Sequence, residues 1–403
     1  MTSSPFLALP GAVAASGADA GIAAHYGNPV TEQRMLDAGR THGAVPASAA
    51  SVPVIVDLSC RGVISVEGPD RLSWLDSVTS QSIRDLPAGG SAETLLLDIN
   101  GRIEHAIRVF DDGVTAWLLV DRDETESLTA WLLRMRFMLR VEIADRTEEF
   151  ATIGWLGSSA DAPTAPPLAA VAAAPAGHEL TWVDPWPEVV AGGVQYAPTD
   201  EHPGADWWWR ETLVPRDSLG ALADSVVAGD LAVAGLLAAE ALRIVAWRPR
   251  LSTEVDDRSI PHELDWMRSA VHLSKGCYRG QETVAKVHNL GHPPRRLVLL
   301  DLDGSDAVLP GAGDEVFVTV SPESAGSAAP ADAVGHVTSV ALHHEWGPVA
   351  LAVVKRQLPV DAALVVRTAE GDVNASAVVI VSPEAGAAVG RVPRLPRLGA
   401  RTR

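Results

Sequence analysis

The sequence predicts an α+β protein with antiparallel sheets, and three observations carry that prediction. Strand-like alternation runs from Val54 to Val66 and again over Glu93–Asp98, Arg102–Phe110 and Thr115–Val120, with Asp112-Gly113 marking a hairpin. Helical periodicity appears between groups of strands rather than after each one, which argues against a parallel, doubly wound sheet. After Pro293-Pro294 the texture changes to six short apolar segments punctuated by Gly, Pro and Asp, suited to a small antiparallel barrel or sandwich.

Taken in order, residues 1–50 read as an N-terminal arm, ordered at least in part. Its apolar run FLALPGAVAA has no Lys or Arg before it, whereas a signal peptide needs a basic start, and the first Lys or Arg is Arg34. Residues 51–156 hold the first strands, a helix in GPDRLSWLDSV capped near Asp70, and a second helix over Thr125–Arg136. Residues 157–177, GSSADAPTAPPLAAVAAAPAG, lack periodicity and read as a surface linker at a domain boundary or as an insertion. The next part, 178–292, carries a strand at Glu211–Pro215 and helices over Ser218–Val227 and Leu231–Ile244. A polar connector, Arg248–Trp266, holds Asp256, Arg258, His262, Glu263 and Asp265 and reads as a solvated loop. The β segments occupy 293–383, and 384–403 form a basic tail whose end, RVPRLPRLGARTR, is a solvated charge run.

Composition limits the functions available. A chain of 403 residues supports two or three cores, and a hydrophobic fraction of 47% suits a globular protein. The formal charge of -19 argues against direct nucleic-acid binding, which needs a dominant basic face. The apolar stretch Leu219–Trp247 is interrupted by Asp224, Asp230, Glu240 and Arg243, so no membrane span is expected. Cys60 and Cys277 are the two cysteines, without a CxxC neighbour, and encode neither a disulfide framework nor a complete zinc or iron–sulfur site. A reducing cytoplasm fits this usage.

The most informative stretch is KGCYRGQE, residues 275–282. Lys275 and Arg279 flank Cys277 with positive charge that would favour a thiolate, Gly276 and Gly280 permit close backbone approach, and QETVAKV can open a helix. A free cysteine is equally a small buried hydrophobe, so the residues alone leave both readings open. His288 and His292 follow without fixed helical phase and do not define a metal site. In the run Trp207-Trp208-Trp209, strand alternation sends at least one ring to the opposite face.

KGCYRGQE resembles the signature of the YgfZ family of folate-binding proteins, relatives of the glycine-cleavage T-protein, an aminomethyltransferase. VDLSCRGVISVEGPDRLSWLDSVTSQ resembles the family's opening block, and AGLLAAEALRIVAW resembles a T-protein helix, keeping Arg243 but carrying Ala239-Glu240 in place of Arg-Asp. VGHVTSV with VALAVV resembles the strand pair of its C-terminal barrel, so the likeness spans roughly Ala12–Pro383. The resemblance implies a three-domain T-protein-like α+β architecture, two mixed domains and a C-terminal antiparallel β-barrel around a central folate-binding opening. It implies Cys277 at a working centre with Lys275 and Arg279. Glu211, Arg243, Tyr278 and Gln281 become the folate contacts, Glu211 for the pterin edge and Arg243 for either the tail carboxylate or a structural ion pair.

One departure matters. Where the T-protein has two aspartates, one of them catalytic, this chain has Glu104-His105, so aminomethyl transfer is not carried over. The expected function is therefore that of a tetrahydrofolate-binding accessory protein. Its partners would be iron–sulfur client enzymes, including ones that modify tRNA, or cluster-assembly factors. A folate-dependent one-carbon transferase or demethylase using Glu104 or His105, and a non-catalytic folate sensor or adaptor, are the alternatives.

Overall fold

The computed structural model describes residues 3–38, 52–305, 307–319 and 332–389. The expected tail end, 391–403, lies outside these residues. Two five-stranded sheets and a closed barrel make up the α+β body. The first sheet has the order 91–97, 103–111, 115–120, 62–67, 142–145, antiparallel throughout. The second has the order 181–183, 209–215, 150–156, 54–57, 232–234, with only the last pair parallel. Among the described residues six strands, Arg295–Leu302, Glu315–Val318, Gly335–His343, Gly347–Lys355, Leu364–Arg367 and Asp372–Val379, close the barrel. Closure leaves no open sheet edge and resolves the barrel-or-sandwich choice. Among the described residues no helix is long and apolar enough to cross a membrane.

The structure corrects several local expectations. The run Val54–Val66 is two strands in different sheets, because Asp57 Oδ1 accepts the Ser59 N–H at 2.9 Å and turns the chain. Ala232–Ala234 is a strand, not the start of a helix. It pairs with Val54–Val56, and the helix begins after Gly235 as Leu236–Val245. Asp70 stands at a helix N-cap position without capping, since its carboxylate is taken by Arg140 at 2.7 Å.

The boundary drawn at 157–177 is crossed by the second sheet, whose strands come from both sides of it. Within that segment Pro166–Ala169 is helical and Leu168 is buried with Ile55, Trp155 and Leu222. Burying Leu168 and Ala173 offsets part of the entropy that a solvated linker would retain. The polar connector is likewise buried in large part. His262, Glu263 and Asp265 are inaccessible, and Glu263 Oε2 accepts from Arg295 Nη2 at 2.8 Å at the first barrel strand. Among the described residues of the arm, helix Pro29–Ala38 packs on helix Leu236–Val245, and the Glu32 carboxylate accepts the Gly235 N–H at 2.8 Å.

Candidate functional site

A narrow cavity of about 40 Å³ lies where the two sheets meet helix Leu236–Val245. Each wall follows from local geometry. On the first sheet Glu93 pairs with Arg108 and Leu95 with Ala106, so alternation places Glu93, Arg108 and Ala106 on one face, toward the cavity. On the helix, Leu236, Ala239, Glu240 and Arg243 recur at the spacing of a single face. The second sheet contributes Trp182, Trp209 and Glu211, with Trp182 opposite Glu211. Gly154, paired with Glu211 on the other side, has no side chain because a Cβ there would strike the Trp209 ring.

The lining is ionic and aromatic. Arg248 Nη2 donates to Glu93 Oε1 at 2.6 Å and its Nε to Asp184 Oδ2 at 2.9 Å, while Trp207 Nε1 donates to the same Asp184 oxygen at 2.9 Å. Burial pushes Asp184 up, against the pull of Arg248. Trp207 and Trp209 stack at 5.3 Å between centroids, 12° from parallel, and half-buried Trp208 is absent from the cavity lining. Glu211 Oε1 pairs with Arg61 Nη1, accepts from Trp209 Nε1 at 3.1 Å and lies 3.6 Å from Arg108 Nε. Burial raises the Glu211 pKa, but Arg108 and Arg61 together outweigh it and hold the carboxylate below its ordinary range.

Five buried polar atoms on this lining have no hydrogen-bond partner: Glu211 Oε2, Asp121 Oδ1, Arg61 Nε, Arg108 Nη1 and Arg248 Nη1. Buried polar atoms are ordinarily satisfied, so a concentration of orphans in one cavity marks a place built for a polar occupant. The set offers two acceptors and three donors beside flat indole faces.

No family model matches the chain. An aminomethyltransferase of Herpetosiphon aurantiacus is 25% identical over 253 residues, covering 62% of this chain and 67% of that protein. The tRNA-modifying protein YgfZ of Klebsiella pneumoniae is 25% identical over 280 residues, 67% of this chain and 78% of that protein. The crystal structure of glycine cleavage system aminomethyltransferase T from Bartonella henselae has the same fold, with a TM-score of 0.65 over 93% of this chain and 94% of that one at 19% identity. The chain is related to YgfZ and the T-protein aminomethyltransferases.

In this T-protein-like frame the expected site residues fall into two groups. Glu211 and Arg243 line the cavity; Cys277, Lys275, Arg279, Tyr278 and Gln281 do not. Arg243 is a structural clamp. Its Nε donates to Glu240 at 3.0 Å, Nη1 to Glu254 at 3.0 Å, and Nη2 to Ser339 of the barrel at 2.8 Å, leaving no nitrogen for a ligand carboxylate.

The cations expected to frame Cys277 are also engaged elsewhere. Lys275 Nζ is buried and donates to the carbonyls of Asp76, Thr79 and Gln81 at 2.5, 2.9 and 2.6 Å, binding the chain that follows helix Arg71–Val78. Arg279 Nη1 donates to Glu104 at 2.7 Å. Burial pushes the Tyr278 hydroxyl pKa up as its ring packs under Lys275. Gln281 Nε2 donates back to the Lys275 carbonyl at 3.3 Å. Cys277 itself is exposed, and among the described residues its sulfur has no hydrogen-bond partner.

Glycine at 280 is required twice, by φ of 84° and by Asp98 O lying 2.6 Å from where a Cβ would be. The loop therefore seats on the turn between strands Ser91–Leu97 and Ile103–Asp111. There the pairing passes from Leu96–His105 to Leu97–Ile103, a bulge that leaves Glu104 unpaired and meeting Arg279. His105 turns to the opposite face, its Nδ1 3.0 Å from Glu124 Oε1. The loop thus sits at the turn end of the strand pair whose Glu93, Arg108 and Ala106 line the cavity, without itself contributing to the lining.

Sequence reasoning missed Arg61, Glu93, Arg108, Asp121, Asp184, Arg248 and Arg250 on the lining. The signal available for two of them was charge at inward positions of apolar strands: Glu93 before Leu95 and Leu97, and Arg108 within AIRVF.

Proposed function

We propose that the central cavity binds tetrahydrofolate or a close derivative, and that Cys277 acts outside it, on a protein partner. The observation that carries the ligand reading is Glu211 Oε2, a buried, ionised acceptor without a partner beside the stacked pair Trp207 and Trp209. A pterin presents a donor-rich edge and a flat face, and those two features meet an acceptor and an indole wall. Arg108 and Arg248, each with an unpartnered Nη1, suit acceptors or a carboxylate of the same ligand. Bound tetrahydrofolate would supply a reduced ring able to carry a one-carbon unit. The chain's own residues bind and orient it and shield it from water.

The accessory role is supported by the separation of thiol and cavity. An exposed Cys277 on a loop fixed by Lys275 and Arg279 is suited to attack a partner's disulfide, releasing one of its sulfurs as a thiolate, or to transient ligation of a partner's iron–sulfur cluster. YgfZ, among the relatives, is named a tRNA-modifying protein. We read this chain's clients as iron–sulfur enzymes of that kind or their assembly factors.

Titration with tetrahydrofolate under anaerobic conditions tests the ligand half. Glu211→Gln should weaken binding by about tenfold or more, the cost of one charged hydrogen-bonding acceptor; unchanged affinity would overturn the assignment. In cells, Cys277→Ala should lower the activity of iron–sulfur enzymes while folate binding persists. Unchanged activity removes the thiol and favours the sensor or adaptor. The one-carbon transferase reading draws on His105 and Glu124, a buried imidazole–carboxylate pair whose Glu124 lines the cavity. It requires methylenetetrahydrofolate to form from a methylated amine in a His105-dependent way.

A further inference from the structure

The N-terminal arm places a charged side chain against the cavity wall. Asp19, ending the turn Gly17–Asp19, accepts both terminal nitrogens of Arg250, Nη2 at 2.7 Å and Nη1 at 3.0 Å. Arg250 is buried and lines the cavity, and its Nε donates to Asp121 Oδ2 at 3.1 Å. Asp121 opens the turn Arg122–Glu124, its own N–H donating to Glu124 Oε2 at 3.1 Å. The other carboxylate oxygen, Asp121 Oδ1, is one of the orphaned acceptors of the lining, with Arg108 Nη2 at 3.8 Å, too long for a hydrogen bond. The arm is anchored separately from this contact. Ser4 Oγ donates to Asp57 Oδ2 at 2.5 Å, and Gln33 Nε2 donates to the Leu342 carbonyl of the barrel at 2.9 Å.

We propose that Asp19 is a positioning residue of the central cavity. A fork-to-fork pair fixes the plane of the guanidinium, so that only Nε faces Asp121 and Asp121 Oδ1 stays open to accept a hydrogen bond from the occupant. Asp19→Asn keeps one acceptor oxygen but sets an NH2 group against the other terminal nitrogen, which is left buried without an acceptor. The neighbouring carboxylates are Asp121 itself and Glu240, whose Oε1 lies 3.9 Å from Nη1. The guanidinium then turns toward them and Asp121 Oδ1 is consumed. A segment 231 residues from Arg250 in sequence thereby sets, through that arginine, one acceptor of the site. The inference rests on the folate reading for the identity of the occupant, but not for the geometry.

The test compares the full chain with Asp19→Asn, Asp19→Glu and Ser4→Ala, the last removing an arm contact remote from the cavity. Hydrogen exchange is followed over residues 121–125, and tetrahydrofolate is titrated in parallel. Asp19→Asn should speed exchange in that turn and weaken tetrahydrofolate binding about tenfold, and Asp19→Glu should recover most of both. Ser4→Ala should lower the melting temperature without either effect. Exchange and affinity unchanged in Asp19→Asn, or the same changes in Ser4→Ala, would overturn the proposal. If the unaltered protein fails to bind tetrahydrofolate while Asp19→Asn still loosens the turn, the ligand reading falls and the positioning role stands.

Discussion

The cavity and the Cys277 loop are built in opposite ways. The cavity gathers buried charges from segments far apart in the chain: Arg248 meets Glu93 across 155 residues, and Arg250 meets Asp121 across 129. The loop is one continuous octapeptide whose thiol is exposed and whose neighbours are spent on holding it in place. A short motif therefore marks an anchored loop, whereas the chemistry of the cavity is dispersed and leaves no motif.

The difference is sharpest in what each region contributes to stability. Arg248→Ala strands Glu93 and Asp184 as buried, uncompensated carboxylates and should destabilise the fold by about 3–5 kcal/mol, measured by denaturant unfolding. A loss near zero would mean the cavity is far more open to water than its burial implies.

Between the two regions stands His262, which is buried and whose Nε2 lies 3.0 Å from the Val284 carbonyl, on the helix that follows the loop. Burial, with His288 adding repulsion, pushes its pKa from 6.5 down to about 4. Between those values the unfolded chain binds a proton that the folded one does not, so stability falls as pH drops through the window. The loss is about 3 kcal/mol and is complete below pH 4. His262→Gln should flatten that acid limb, and an unchanged slope would assign it to other groups.

Within the loop, Lys275→Met removes three hydrogen bonds to carbonyls and should cost about 1–3 kcal/mol by leaving those acceptors unsatisfied. Cys277→Ala, at an exposed position, should shift stability by less than about 0.5 kcal/mol. A large loss there would show that the thiol is part of the fold. By contrast Cys60 is buried beside Asp19, with its pKa pushed up to about 12, so alkylation of the native protein should label Cys277 and spare Cys60.

How much was legible follows from the same contrast. Strands with clean alternation, such as Arg102–Phe110, and the punctuated segments of the barrel were readable because their signal is local. Glu211 was placed by its position in a resembling strand. The turn at Asp57–Ser59 was hidden inside an apparently continuous strand, and Ala232–Ala234 was hidden inside an apolar helical pattern, because tertiary pairing overrode local preference. The role expected of Lys275 failed for a different reason. Charge beside a cysteine in sequence says nothing of where a four-carbon side chain reaches, and this one reaches the chain end of another helix. The ionic lining was invisible because ion pairs between distant residues have no period.

The most direct test of the division between the regions is a crystal structure with tetrahydrofolate bound. It should show the pterin against Trp207 or Trp209 with its donor edge on Glu211 Oε2, and the Cys277 sulfur out of contact with the ring, as expected of an exposed thiol outside the cavity lining. A ring in contact with the Cys277 sulfur, or seated away from Glu211, would contradict it.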